Sequence, residues 1–253
     1  MKKITVILIL SLSIGSVCVL SGNLRKEQIK SDTEQNKTDV QETNNVSVQQ
    51  IFKAEDLVAK PEIPDEFKGK KIEENNSAYD YPYEATFDNV ARDSSNIITA
   101  KVNGFSYTAT PYSIASDACT VIHVTVTESL IGAIPVDKPL DIYTFGGYIP
   151  LRDYLGDSIY DHGISMSDEE IDNTVIYQKS DESALPIIGM EYAFCLNLGK
   201  DYDSVPDDAY IRVRGEYGQL LVKEDENKKS FIRRVYGTNE TQSYSIEDFD
   251  KVR

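Results

Sequence analysis

The residue types that most often carry enzyme chemistry are scarce in this chain. Of its 253 residues, two are histidine, three are cysteine and none is tryptophan. The sequence has no Gly-x-Ser-x-Gly nucleophile pattern, no His-Glu-x-x-His metal-binding pattern, no phosphate-binding glycine loop and no Cys-x-x-Cys pair. These absences remove the familiar motifs of hydrolases, metalloproteases and nucleotide-binding enzymes. We therefore expect a protein that is not an enzyme.

Basic residues are also few, because 26 Lys and Arg stand against 42 Asp and Glu, a formal net charge of −16. Such a chain repels nucleic acid phosphates and anionic lipid headgroups, and no basic stripe offsets the repulsion. We expect no nucleic acid partner, and contact with a membrane only through the N-terminus. The expected partner is an extracellular protein, a peptide or a small ligand.

A long apolar run occurs once, from Ile4 to Leu20, directly after the basic residues of Met1-Lys2-Lys3. This order predicts an export signal over residues 1–22, with cleavage after Ser21 or Gly22. Two alternatives remain open: a lipoprotein signal that ends before Cys18, which would then be lipidated, and an uncleaved anchor. Each alternative predicts an extracytoplasmic protein, either secreted or held at the outer face of the cell membrane.

Residues 23–80 are predicted to form a disordered tether and linker. From Asn23 to Gln50 there is no aromatic residue, glycine or proline, so the segment lacks the apolar surface needed to offset the entropy of ordering. Scattered apolar residues after Ile51 predict a short helix at most. The tether would hold the following domain away from a membrane or wall.

Residues 81–253 are predicted to form one mostly β domain. Helices are expected over Glu84–Ser94 and Ser245–Val252, the second capped by Ser245. Alternating apolar residues predict the following strands: Asn96–Thr110, Cys119–Ser129, Leu140–Phe145, Met190–Leu198, Ala209–Arg214, Gln219–Val222 and Ser230–Val235. Strands of this number and length favour a small antiparallel barrel, or a sandwich, with one or two peripheral helices, since closure removes exposed edges.

Three segments carry a resemblance: Val124–Gly132 (VTVTESLIG), Tyr143–Gly147 (YTFGG) and Ile188–Phe194 (IGMEYAF). Their order resembles that of uncharacterised secreted and lipoprotein-like Gram-positive proteins whose domain is similar to the OB-like barrel of netrin modules and metalloproteinase inhibitors. The resemblance implies an OB-like barrel. It implies no inhibitory activity, because the exposed N-terminal cysteine and the several disulfides of the inhibitors have no counterpart here.

The richest polar segment is an acidic insertion over residues 148–186. Asp153, Asp157, Asp161 and His162 are candidates for binding a ligand or a cation. Calcium is a possible ion because it prefers several oxygen ligands, although the regular Asp-x-Asp-x-Asp-Gly spacing is missing. We predict no other cofactor and no dedicated metal site.

Other candidate residues lie on the predicted strands. His123 falls on the more polar face of its strand and could line a cleft, but the favoured interpretation is a half-exposed structural histidine. Arg212 and Arg214 alternate with apolar residues on another strand; they could recognise an anionic group, but the favoured interpretation is that they balance neighbouring carboxylates. Cys119 and Cys195 form a possible disulfide in an oxidising compartment, and their pairing stays open.

Three functions follow from these observations. The leading hypothesis is an exported, non-enzymatic binding module on a flexible tether. The first alternative is an extracellular hydrolase that uses Asp157, Asp161 and His162, which would have to converge in a cleft. The second is a structural envelope protein, which would present a flat apolar patch and no pocket.

Overall fold

The computed structural model describes residues 52–60, 62–76, 83–110, 117–156, 166–179, 183–201, 205–225 and 228–252. The predicted signal and Cys18 lie outside these ranges. Within them the strands are β1 (Lys71–Asn76), β2 (Asn96–Ala109), β3 (Ala118–Ile131), β4 (Pro139–Phe145), β5 (Gly147–Pro150), β6 (Thr174–Lys179), β7 (Glu191–Leu198), β8 (Tyr210–Arg212), β9 (Gln219–Asp225), β10 (Lys228–Arg234) and β11 (Thr241–Tyr244). The α-helices are α1 (Phe87–Arg92), α2 (Leu151–Leu155), α3 (Asp168–Asp172) and α4 (Ile246–Lys251).

Five strands close into a barrel. Strand β2 pairs antiparallel with β3, and β3 with β4. Strand β4 then pairs parallel with β8, and β8 pairs with β7, which returns to β2. This closed Greek-key arrangement confirms the predicted OB-like barrel. Strands β9, β10 and β11 extend the sheet from the first half of β7.

The core of the barrel is filled by alternating apolar side chains, as the sequence predicts. On β3, Ile122, Val124 and Val126 are fully or almost fully buried in the main core cluster. On β7, Tyr192, Phe194 and Leu196 fill the same core, while Ala193 and Cys195 on the opposite face pack under α1 and α4 in a second cluster. Both faces of β7 are therefore covered, and the helices seal one side of the barrel.

The folded domain begins before residue 81, so the prediction of a linker over 23–80 is wrong for the described residues 52–60 and 62–76. Leu57 is only 5% exposed and belongs to the barrel core. Its carbonyl oxygen accepts a 2.9 Å hydrogen bond from the Tyr192 hydroxyl. Strand β1 pairs in parallel with β6 over six residues. Composition suggested a linker because these residues are polar, yet tertiary pairing orders them.

The acidic insertion is more ordered than a loop. Strands β5 and β6 lie within or beside it. Together with β1 they form a second sheet, in the order β1-β6-β5. Helices α2 and α3 cover this sheet through a small core that includes Ile149, Leu151 and Ile171. The Arg152 guanidinium bridges the two helices, at 2.6 Å from Asp172 and 3.3 Å from Asp168.

Among the described residues, no helix is long and apolar enough to cross a membrane.

Candidate functional site

Three polar side chains meet on the outer face of β2, β3 and β4. His123 Nε2 lies 2.9 Å from the Ser106 hydroxyl oxygen. His123 Nδ1 lies 2.7 Å from Asp141 Oδ1. Ser106 and Asp141 are exposed and His123 is half-buried, so the three side chains, which we call the S-H-D cluster, are open to solvent.

Strand register explains why these three residues meet. Asp141 on β4 is the direct cross-strand partner of His123 on β3, so their side chains stand next to each other on one face. Ser106 on β2 is a diagonal neighbour, because His123 itself pairs with Gly104. Diagonal neighbours on one face are within reach of a long side chain such as histidine.

A bulge in β2 puts Ser106 on this face. The register with β3 shifts between Val102 and Gly104, and Val102 points into the barrel core. Without the shift, strict alternation would turn Ser106 inward as well. Gly104 also leaves the surface beside Ser106 open, since a Cβ at this position would meet nothing within 4 Å.

The surroundings of the S-H-D cluster are polar on one side and aromatic on the other. On the polar side, the Asn103 amide donates a 2.9 Å hydrogen bond to Thr125. On the aromatic side, Tyr143 follows two residues after Asp141 on β4 and is partly buried. Burial raises the pKa of Tyr143, and the negative charge of Asp141 raises it further. Tyr143 therefore stays a neutral hydroxyl beside the cluster at physiological pH.

The S-H-D cluster supports two kinds of chemistry. Its hydroxyl, imidazole and carboxylate can exchange hydrogen bonds with a polar ligand laid across the sheet. The order of contacts, hydroxyl to Nε2 and Nδ1 to carboxylate, is also that of a nucleophile, its base and the group that orients the base. OB-fold barrels bind ligands on the face of their second and third strands, which here are β3 and β4.

The residues predicted in the acidic insertion do not form a described site. Asp153 lies on α2 and is exposed, while Asp157, Asp161 and His162 lie outside the described residues. In the part of the chain that the structure describes, no three His, Cys, Asp or Glu side chains are grouped to hold a metal ion. Calcium binding by this insertion and the hydrolase hypothesis built on these residues both stay predictions.

The possible disulfide between Cys119 and Cys195 is not formed; both are buried free thiols. Cys119 pairs with Thr108 of β2, whereas Cys195 pairs with Ile97 of the same strand. Eleven residues of strand separate these positions, roughly 35 Å along the chain at 3.3 Å per residue. A disulfide needs Cα atoms within about 7 Å, so the two cysteines lie too far apart to pair.

The two arginines of the β8 region serve the fold. Arg212 is buried at one end of the barrel, where its guanidinium donates to Thr144, to Gln219 and to the carbonyl oxygen of Ala184. Arg214 pairs with Asp93 at 3.4 Å and lies over the Tyr83 ring. Both guanidinium groups thus bind groups of the protein itself.

Sequence reasoning considered His123 but favoured a structural role for it, and it missed Ser106 and Asp141. His123 was noticed because it lies on the more polar face of β3, between the apolar residues of the other face. Ser106 and Asp141 are common surface residues whose type carries no signal. Only the pairing register, including the bulge at Gly104, brings them to the histidine.

No family model, curated protein or solved structure matches this chain. The resemblance to secreted Gram-positive proteins stays a prediction, and any function rests on the geometry of the domain itself.

Proposed function

We propose that the chain is exported and that its barrel is a binding module whose ligand lies across the outer face of β2, β3 and β4. The observation that carries this proposal is the S-H-D cluster, three hydrogen-bonding side chains aligned across adjacent strands and open to solvent. The signal-like N-terminus supports export. The predicted tether then gives the module reach from the cell surface, as a secreted or anchored protein.

The ligand that fits this face best is neutral and rich in hydroxyl groups, such as an extracellular oligosaccharide. Ser106, His123 and Asp141 offer donors and acceptors side by side, and Tyr143 offers a partly exposed ring. Tyrosine combines an apolar ring with a polar hydroxyl, which suits a ligand of mixed character. The acidic chain disfavours polyanions, the other ligand class that OB-fold barrels commonly bind.

The test is a binding screen of the full chain on arrays of neutral oligosaccharides and of peptides. We expect retention of a neutral oligosaccharide and a loss of about tenfold or more in affinity for His123→Ala, the scale of one or two good hydrogen bonds. The control is Ser243→Ala, which removes an exposed hydroxyl from β11 on another part of the sheet.

Backbone amide NMR of the bound complex locates the ligand. Shifts confined to β3 and β4 support the proposal. Shifts confined to α2, α3 and the acidic insertion would overturn it and favour a site around Asp153 instead. If peptides bind at β3 and β4 and oligosaccharides do not, the proposed binding face would stand, but the ligand would be a peptide.

A further inference from the structure

We propose that the S-H-D cluster is an acyl-transfer site, with Ser106 as the nucleophile, His123 as the general base and Asp141 as the positioning residue. This goes beyond the proposed function, because a binding face needs hydrogen-bonding groups but no activated nucleophile. The substrate class is a carboxylic ester that reaches the open sheet from solvent.

The first support is the order of the contacts. Asp141 is an acceptor, so the 2.7 Å contact assigns the imidazole proton to Nδ1. In the neutral imidazole, Nε2 then carries a lone pair and faces the Ser106 hydroxyl at 2.9 Å. A hydroxyl that donates to a neutral imidazole is the arrangement from which serine loses its proton during attack.

The second support is access. Ser106 is exposed, and the side chains of His123 and Asp141 are 40% and 58% exposed. The neighbouring residue on the same face is Gly104, beside which a carbon atom meets nothing within 4 Å. An ester carbonyl can therefore approach the hydroxyl oxygen from solvent without displacing a side chain.

The third support is a backbone donor beside the nucleophile. The N–H of Thr110 donates to Asp117 across the β2–β3 pair, and the register then directs the N–H groups of Thr108 and Ser106 toward β3 as well. The N–H of Tyr107 must point to the other edge of β2. In register, β7 covers that edge only as far as Lys101.

In the described part of the chain, no strand pairs with the open edge of β2 from Gly104 to Ala109. The Tyr107 N–H thus belongs to the peptide that follows Ser106, and it faces an edge that no described strand covers. The amide that follows a nucleophile commonly stabilises the oxyanion of the tetrahedral intermediate. We assign that role to Tyr107.

The reaction balances without a cofactor. Ser106 Oγ bonds to the ester carbonyl carbon while His123 Nε2 takes the hydroxyl proton, giving a tetrahedral oxyanion beside the Tyr107 N–H. The carbon–oxygen bond to the alcohol breaks, and the alcohol leaves with the proton from His123. Water then attacks acyl-Ser106, passes a proton to His123 and releases the carboxylic acid, and that proton returns to Ser106 Oγ.

The experiment uses the full chain, a fluorophosphonate probe and p-nitrophenyl acetate. The fluorophosphonate should add one covalent adduct, located at Ser106 by peptide mass mapping. Ser106→Ala should lose the adduct, and Ser243→Ala should keep it. His123→Ala should lower the labelling rate by about 100-fold or more, the usual contribution of a general base. Thermal unfolding of each variant verifies that it is folded.

The Asp141→Asn variant tests whether Asp141 positions His123 for catalysis or only stabilises the fold. We expect a lower kcat for p-nitrophenyl acetate with little change in KM, because the amide no longer holds the required tautomer while the substrate surface is intact. Labelling of unfolded protein at the same rate, equal labelling in Ser106→Ala, or equal decreases for Asp141→Asn and Ser243→Ala would each overturn the proposal. The two proposals are tested separately: if acyl transfer is not found but the chain still binds oligosaccharide, the acyl-transfer proposal fails and the proposed binding function remains.

Discussion

Burial lowers the reactivity of the two cysteines Cys119 and Cys195. Burial raises the pKa of the Cys119 thiol to about 12 and that of the Cys195 thiol to about 11. The thiolate is the reactive form of cysteine. Both residues are therefore poor nucleophiles at neutral pH, in contrast to the exposed Ser106.

Thiol titration tests this in a Cys18→Ser chain, in which only Cys119 and Cys195 remain. We expect no reaction with an aromatic disulfide reagent at pH 8 in the native state and two reacting thiols after unfolding in guanidinium. One or more fast native thiols would contradict the burial. No thiols after unfolding without reductant would show that the pair is joined after all.

Tyr192 links the N-terminal segment to the barrel through one hydroxyl. This hydroxyl donates to the Leu57 carbonyl oxygen at 2.9 Å and accepts from the Ile187 N–H at 3.1 Å. Tyr192→Phe leaves both buried backbone groups without their partner, so we expect the free energy of unfolding to fall by about 1–3 kcal/mol. Urea denaturation measures it, with Tyr236→Phe as the control because Tyr236 is 38% exposed. Equal effects of the two substitutions would refute the link.

At the scale of elements, alternation predicted most of the barrel but not the second sheet. Strand β3 was predictable because Ile122, Val124 and Val126 recur every second residue between polar ones. Strand β1 (KIEENN) has one apolar residue in six, and it is ordered by pairing with β6, more than 90 residues later. A distant partner of this kind leaves no local pattern to read. The bulge at Gly104 leaves no local pattern either, so the sequence did not predict that Ser106 lies beside His123.

Helix α4 was predicted to within one residue at each end, with Ser245 correctly named as its N-cap. The Asp248 carboxylate accepts hydrogen bonds from Lys251 and from the N–H and hydroxyl of Ser245. Lys251 and then Ser245 lower the pKa of Asp248 from 3.8 to about 2. The helix in turn holds Phe249, which is 1% exposed, against Phe87 and Phe231.

This capping contact predicts a specific pH dependence. Because the pKa of Asp248 is lower in the folded state, the carboxylate stabilises the fold above about pH 4, and this contribution is lost as the pH falls toward 2. Asp248→Asn should therefore unfold at a lower temperature than the parent chain at pH 6, and the gap should narrow between pH 4 and 2. Thermal unfolding by circular dichroism measures it. Asp225→Asn, an exposed carboxylate at the end of β9, should show no comparable gap.

At the scale of the whole molecule, the folded domain is larger than composition suggests. The unit Gln49–Arg253 is compact, and residues that looked like linker contribute to its core. Leu57 packs in the main cluster, and Phe67 packs with Tyr148 and Val175 in another. The S-H-D cluster lies on β2, β3 and β4, so its geometry depends on a barrel that residues 52–76 help to complete.

Truncation distinguishes this boundary from the one that composition suggests. A chain that begins at Gln49 keeps every described residue and loses only the predicted tether, whose polar composition offers little apolar surface for core packing, so it should keep the melting temperature of residues 23–253. A chain that begins at Tyr81 loses Leu57, Phe67 and strand β1, and the exposed core and unpaired β6 edge should make it unfold at a much lower temperature or aggregate. Leu57→Ala in the longer chain isolates one part of that loss, about 2–5 kcal/mol in the free energy of unfolding. Equal melting temperatures for the chains that begin at Gln49 and Tyr81 would show that the barrel is self-sufficient, and the segment before it would then be a docked tether rather than part of the domain.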